Sequence, residues 1–185
     1  SFAHARVYDF THNNQLSLME DPSASVEAKV ELIRNAKHHV HIVTFFWDES
    51  AIPKRLGEEL NKANARGVEV RILTSYVATL GTDFLGQGKR ALNYKSKTAT
   101  FSYLSLTPGA SFSVNHSLHE KIFIVDGKKA IIGGRNTSNS SLAGKDLEVL
   151  MEGPVVNQIQ DHFKRMYDFI IDQRINRRCK QAETF

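Results

Sequence analysis

His119, Lys121 and Asn136 are the residues best placed, by type and spacing, to do chemistry together. They lie in His119-Glu120-Lys121-Ile122-Phe123-Ile124-Val125-Asp126, closed by Gly133-Gly134-Arg135-Asn136. Ile-Phe-Ile-Val is a strand pattern of β-branched and aromatic residues, and Asp126-Gly127 ends it in a tight turn. Residues two apart on a strand share a face, so His119 and Lys121 stand side by side while Asp126 falls on the other parity. Ala130-Ile131-Ile132 reads as the returning strand. Gly133-Gly134 then lets the backbone approach closely and carries Asn136 back over the site. An imidazole can act as nucleophile or general acid, and the ammonium and carboxamide supply donors without negative charge. That set suits an anion, and a phosphodiester is the natural candidate. Each piece has an ordinary structural reading taken singly; the conjunction at this spacing carries the argument.

His-x-Lys-x4-Asp followed by Gly-Gly-x-Asn resembles the motif of the phospholipase D superfamily at all its core positions. The resemblance implies a metal-free, two-step phosphoryl transfer with no cofactor. His119 would attack phosphorus and form a phosphohistidine, and Lys121 and Asn136 would hold the non-bridging oxygens. Asp126 would belong to the motif mainly as a structural support, as its parity suggests. Gly134 departs from the many members with Ser there and is similar to the cardiolipin synthase-like branch. Asp146-Leu-Glu-Val-Leu-Met-Glu-Gly-Pro resembles the segment after the first motif of two-motif phosphatidyltransferases. By that likeness Asp146 would orient His119; Glu148, at the same strand parity, is the competing assignment. Ala36 to Phe46 and Ala65 to Thr74 resemble the family's two opening strand segments, so the likeness runs roughly from residue 14 to 172.

The elements that must position these residues alternate between helix and strand. Arg6 to Phe10 and Gln15 to Met19 fit short strands. Asp21 to Ser25 offers caps for a helix to about Lys37, with Val26, Val30, Leu32 and Ile33 as its apolar face. Val40 to Phe46 is a strand, and Ser50 with Pro53 opens a helix that Gly67 ends. Val68 to Leu73, Thr98 to Leu104 and Asp146 to Met151 complete the expected strands, with an irregular stretch at 75–98 and a loop from Leu106 to Asn115. Pro154 starts a last helix whose core stripe is Val155, Ile159, Phe163, Met166, Tyr167 and Ile170. The pattern predicts an α/β fold: a layered mixed β-sheet with helices on both faces, in one domain spanning residues 1–185.

With 41% hydrophobic and 24% charged residues among 185, the composition is that of an ordinary globular chain. The net charge of +4 favours anionic partners without separating nucleic acid from a phospholipid surface. Cys179 stands alone, so no intramolecular disulfide forms. No apolar run approaches the roughly 18 to 20 residues of a membrane span, and no signal peptide is visible. The location in the cell is left open.

Four further residues are candidates for contact with substrate. Trp47, with Phe45 and Phe46, ends a strand where α/β proteins often bind ligands, although core packing is its commoner role. Arg135 and Gly134 lie in the glycine turn, and His116 precedes the motif by one short step. His38, His39 and His41 lack the Cys or spaced carboxylates of a zinc set, so no metal site is expected.

The chain contains one motif, whereas the resembled chemistry uses two. The second histidine protonates the leaving group and then acts as base. The expectation is therefore a homodimer, or a piece of a longer protein whose second motif-bearing half lies elsewhere. A phosphatidyltransferase or phospholipase D-like half acting on phospholipid is the first reading, compatible with peripheral membrane contact. A homodimeric endonuclease of the same superfamily acting on nucleic acid, and a non-catalytic anion-binding module, are the alternatives.

Overall fold

In the computed structural model, seven strands among the described residues form one sheet in the order β1-β7-β6-β5-β2-β3-β4. They are β1 (Gln15–Met19), β2 (His39–Thr44), β3 (Glu69–Ser75), β4 (Ala99–Leu104), β5 (Ile122–Val125), β6 (Lys129–Gly133) and β7 (Glu148–Glu152). The helices are α1 (Pro22–Asn35), α2 (Ala51–Ala65) and α3 (Val155–Ala182). The structure describes residues 8–45, 47, 50–75, 99–104 and 119–182, with backbone alone at 74–75, 99–104 and 170–182. β2, β3 and β4 run parallel, β5 is antiparallel to β2, and β5, β6, β7 and β1 continue antiparallel.

Strand alternation divides the apolar residues into two layers. Val40, Ile42, Val70, Ile72, Phe123 and Val125 face α1 and α2, where Val30, Ile33, Leu56 and Leu60 meet them. Val43, Leu73, Ile122, Ile124 and Ala130 face α3, where Val156, Phe163, Met166 and Tyr167 meet them. The expected mixed sheet with helices on both faces is therefore the observed one. Asp21 caps α1 by accepting from Ser23 N–H, and Gly67, at φ +91°, turns the chain after α2. Of the expected first strand, Tyr8 to Phe10 are irregular, and Arg6 and Val7 lie outside the described residues. Tyr8 instead donates its hydroxyl to Asp161 of α3 at 2.8 Å.

The α3 face of the sheet also buries a polar chain. His39 donates to Gln160 at 2.9 Å, Gln160 donates to His41 Nδ1 at 2.9 Å, and His41 Nε2 meets Glu69 at 3.0 Å. The directions follow from the amide: its oxygen accepts and its nitrogen donates, so His41 Nδ1 must be unprotonated. The His41 ring stacks on Phe163 at 4.5 Å and on His39 at 4.3 Å. Burial lowers the His41 pKa from 6.5 to about 4, more than Glu69 can raise it.

The unfolded chain takes up this proton near pH 6.5 and the folded chain only near 4. This group should therefore cost folding progressively more as pH falls between those values, to about 3 kcal/mol below both. Urea unfolding of the wild type and of His41→Gln at several pH values in that window checks this. The wild type should show the steeper loss, and the variant's curve should be flatter.

Candidate active site

The β5–β6 hairpin brings the start of β5 beside the end of β6. Asp126 (φ +54°) and Gly127 (φ +63°), both left-handed, are the central residues of a turn closed by Lys128 N–H on Val125 C=O at 3.0 Å, within the three-residue connection 126–128. Gly133 N–H donates to Lys121 C=O at 3.3 Å, and Gly134 N–H donates to Leu147 C=O at 3.3 Å. Residues 119–121, 133–136 and 146–148 therefore converge at one end of the sheet, where β2 also ends in Thr44 and Phe45.

His119 and Lys121 meet there. Lys121 is 8% exposed, and its Nζ lies 3.1 Å from His119 Nδ1, 3.2 Å from Nε2 and 2.7 Å from the His119 carbonyl oxygen. A hydrogen bond from the ammonium can end only on the ring nitrogen that carries no proton, which is also the nitrogen a nucleophile needs. Phe45 closes one side, its ring 4.9 Å from the imidazole and 5.6 Å from Nζ. Burial lowers the pKa of Lys121, while the Asp146 charge partly restores it.

Asp146 and Glu148, inseparable by strand pattern, have different surroundings. Glu148 is buried at 2% exposure and accepts from Ser25 Oγ and, at 2.6 Å, from Lys29 Nζ. Arg135 Nε lies 3.7 Å from it. Asp146 is exposed, accepts from its own neighbour Leu147 N–H at 2.8 Å, and acts electrostatically on Lys121. Neither carboxylate hydrogen-bonds His119 among the described residues. A Cβ on Gly134 would fall on the Asp146 carboxylate, so the glycine makes room for the acid. A Cβ on Gly133 would collide with the Leu147 carbonyl and with Glu148 Cα at 2.8 Å.

Two of the expected substrate contacts need correction. Trp47 has no exposed surface; it bridges to Thr137 and packs in the α1–α2 core, where its apolar ring is worth more than at a wet rim. Arg135 is 6% exposed and faces inward. It donates to the carbonyls of Ser141 and Gly144 at 3.2 Å each, of Glu20 at 2.8 Å, and of Asp146. Its two terminal nitrogens are thus a strut for the loop after Gly134, and its Nε is left without a hydrogen bond among the described residues.

Asp126 stands at the far end of β5. It accepts from the N–H groups of Lys37, His38 and His39 at 2.9, 2.7 and 2.9 Å. Burial raises its pKa, but the three donors outweigh this and hold it below the ordinary value. It secures the hairpin to β2, away from the chemistry. His116 lies outside the described residues, as do Phe46, Asp48 and Glu49.

Asn136 makes no hydrogen bond to His119 or Lys121. It lines a cavity of about 20 Å³ with Ser25, Lys29 and Arg135, next to a second cavity of about 20 Å³ lined by Lys121, Trp47 and Glu148. Each has room for a single water. Asn136 Oδ1 and Trp47 Nε1 are buried without a protein hydrogen bond. Sequence reasoning missed Lys29 and Ser25, which α1 brings beneath β7. The only signal was Ser25's odd place one turn inside an apolar face.

The family described as "Cardiolipin synthase, PLD-like domain" matches residues 30–167. The chain belongs to that family. Cardiolipin synthase from Staphylococcus aureus is 26% identical over 160 residues, 83% of this chain and 32% of the relative. The chain thus spans about a third of the length of the cardiolipin synthase it matches. Two solved structures share the fold. NucT from Helicobacter pylori matches with TM-score 0.64 at 15% identity, over 84% of this chain and 97% of its own. Nuc from Salmonella typhimurium, a phospholipase D family member, matches with TM-score 0.63 at 16% identity, over 84% and 95%.

Three substitutions test this geometry. Gly133→Ala should lower stability by about 1–3 kcal/mol, because backbone rather than a movable side chain blocks the Cβ. Gly134→Ser should fold, since the exposed Asp146 can turn away, and it should lower the Lys121 pKa further by removing the one acid that raises it. Denaturant titration reads the first and NMR titration of Lys121 the second. Asp126→Ala should cost about 1–3 kcal/mol by stranding three N–H donors, while the NMR signals of the His119 ring stay in place.

Proposed function

We propose that this chain supplies one half of a phosphodiester-processing active site of the phosphatidyltransferase or phospholipase D type. The observation that carries the reading is the Lys121 Nζ, on a buried side chain, 3.1 and 3.2 Å from the two ring nitrogens of His119. Family membership supports it. In the first step a His119 ring nitrogen bonds to phosphorus and the ester P–O bond breaks, giving a phosphohistidine and an alkoxide. Non-bridging oxygens compete for the Lys121 donors and so release the ring for attack, with the Asn136 amide as a further donor. Asp146 tempers the loss of charge on Lys121 rather than gripping the imidazole. The alkoxide must take a proton, and in the second step water or an alcohol must lose one. A second histidine does both, supplied by another copy of this chain or by a second motif-bearing half.

A phospholipid substrate is the preferred reading, from the likeness to cardiolipin synthases and the Gly-Gly-Arg-Asn form. Peripheral contact with a membrane surface would suffice for it: among the described residues no helix is long and apolar enough to cross a membrane. A homodimeric nuclease on the same pocket is the second reading. The match over nearly the whole length of two short phospholipase D-like chains favours it.

His119→Asn should abolish turnover of a phosphodiester and leave the unfolding curve unchanged. Base-quenching the wild type with labelled substrate should leave label on His119; label elsewhere would refute the nucleophile. Activity should persist in excess chelator. Mass measurement in solution should find a dimer wherever this chain alone is active, and an active monomer contradicts the half-site reading.

A further inference from the structure

We propose that His162 is a positioning residue for the nucleophile, holding His119 in place through Glu120. The inference rests on the reading of His119 as nucleophile and adds to it a residue outside the motif.

His162 Nε2 lies 2.8 Å from Glu120 Oε2, across 42 residues of sequence. Glu120 sits between His119 and Lys121. Strand parity turns it to the opposite face, towards α3, while its two neighbours turn towards α1 and α2. A tether on Glu120 therefore grips the backbone from behind and leaves the imidazole and ammonium clear for a ligand.

The backbone needs such a grip. β5 begins only at Ile122, so His119 and Glu120 precede the paired ladder. The Gly133 N–H bond to Lys121 C=O is the last of the sheet on that side. Beyond it, among the described residues, the segment is held by Lys121 on the His119 carbonyl, by the Phe45 ring and by His162. α3 is itself packed on the sheet by Phe163 and Met166, both buried, which follow His162 in the helix.

The charged groups facing His162 among the described residues are Glu120 from the motif segment and Asp161 and Arg165 from its own helix, which lie 3.9 Å from each other. Glu120 is the main cause of a raised His162 pKa, against burial and Arg165, which lower it. The contact is consequently strongest while His162 is protonated and slackens as pH rises through that raised value.

The full chain and three variants test this: His162→Gln, His162→Arg and Glu120→Gln. In NMR titrations of the histidine rings, Glu120→Gln should lower the His162 midpoint, and Glu120→Gln and His162→Gln should both shift the His119 signals. With bis(p-nitrophenyl) phosphate as probe substrate, His162→Gln should lower kcat by about tenfold, and KM should stay within about twofold. His162→Arg, permanently charged, should restore kcat and flatten the alkaline fall of the wild type. Unmoved His119 signals in both neutral variants overturn the proposal, as does a kcat–pH profile of His162→Gln that superposes on the wild type. If the wild type leaves the probe untouched, the phosphodiesterase reading suffers, and the His119 signals still decide on His162.

Discussion

The buried carboxylate of Glu148 is the interaction on which this end of the molecule depends. A charge with 2% exposure persists only if it is paired. Lys29 and Ser25 reach it from α1, and Arg135 approaches from the glycine turn. Arg135 then spends its remaining donors on four backbone carbonyls, among them those of Glu20 and Asp146. One acid thereby joins the helix, the last strand and the loop between β6 and β7. The close approach of Gly133 and Gly134 to that loop is the geometric counterpart. Gly133 is needed because the Leu147 carbonyl and the Glu148 backbone occupy the space of its side chain, whereas at Gly134 that space holds the Asp146 carboxylate, which can turn away.

The sheet separates support from chemistry by parity. On β5 and its entry, odd positions send His119 and Lys121 towards α1 and α2, and the even position sends Glu120 to α3. The burial of Lys121 follows from this placement, and with it the lowered pKa. The far face carries its own polar chain through His39, Gln160, His41 and Glu69. Those histidines, grouped with His38 by sequence, are spent on packing α3. Residues of like type thus serve different ends on the two sides of a sheet only one strand thick.

Membership of the cardiolipin synthase-like family agrees with the motif, and the length adds a constraint of its own. The chain spans about a third of the cardiolipin synthase it matches, yet nearly all of NucT and of Nuc, whose fold it shares. The described residues form a sheet with helices packed on both faces and place His119 at one end of it.

Much of the fold and part of the site were legible in the sequence. The strand at Ile122–Val125, the Asp126-Gly127 turn and the pairing of His119 with Lys121 follow from alternation and from turn chemistry, which are local. The helix starting at Pro22 and the helix ended by Gly67 follow from caps, which are local too. Other features depended on which surfaces pack together. Asp146 and Glu148 share a parity, and only the arrival of Lys29 and Ser25 from α1 made one a buried anchor and left the other exposed beside Lys121. Arg135 and Trp47 looked like ligand contacts because their types bind ligands; the tertiary fold turned both inward. His162 carries no local mark at all. The sequence by itself determined that His119 and Lys121 stand side by side before β5, because strand period and turn residues act over a few positions. The tertiary structure alone decided which charges surround them, because burial and pairing are set by segments distant in sequence, 119 residues apart for Lys29 and Glu148.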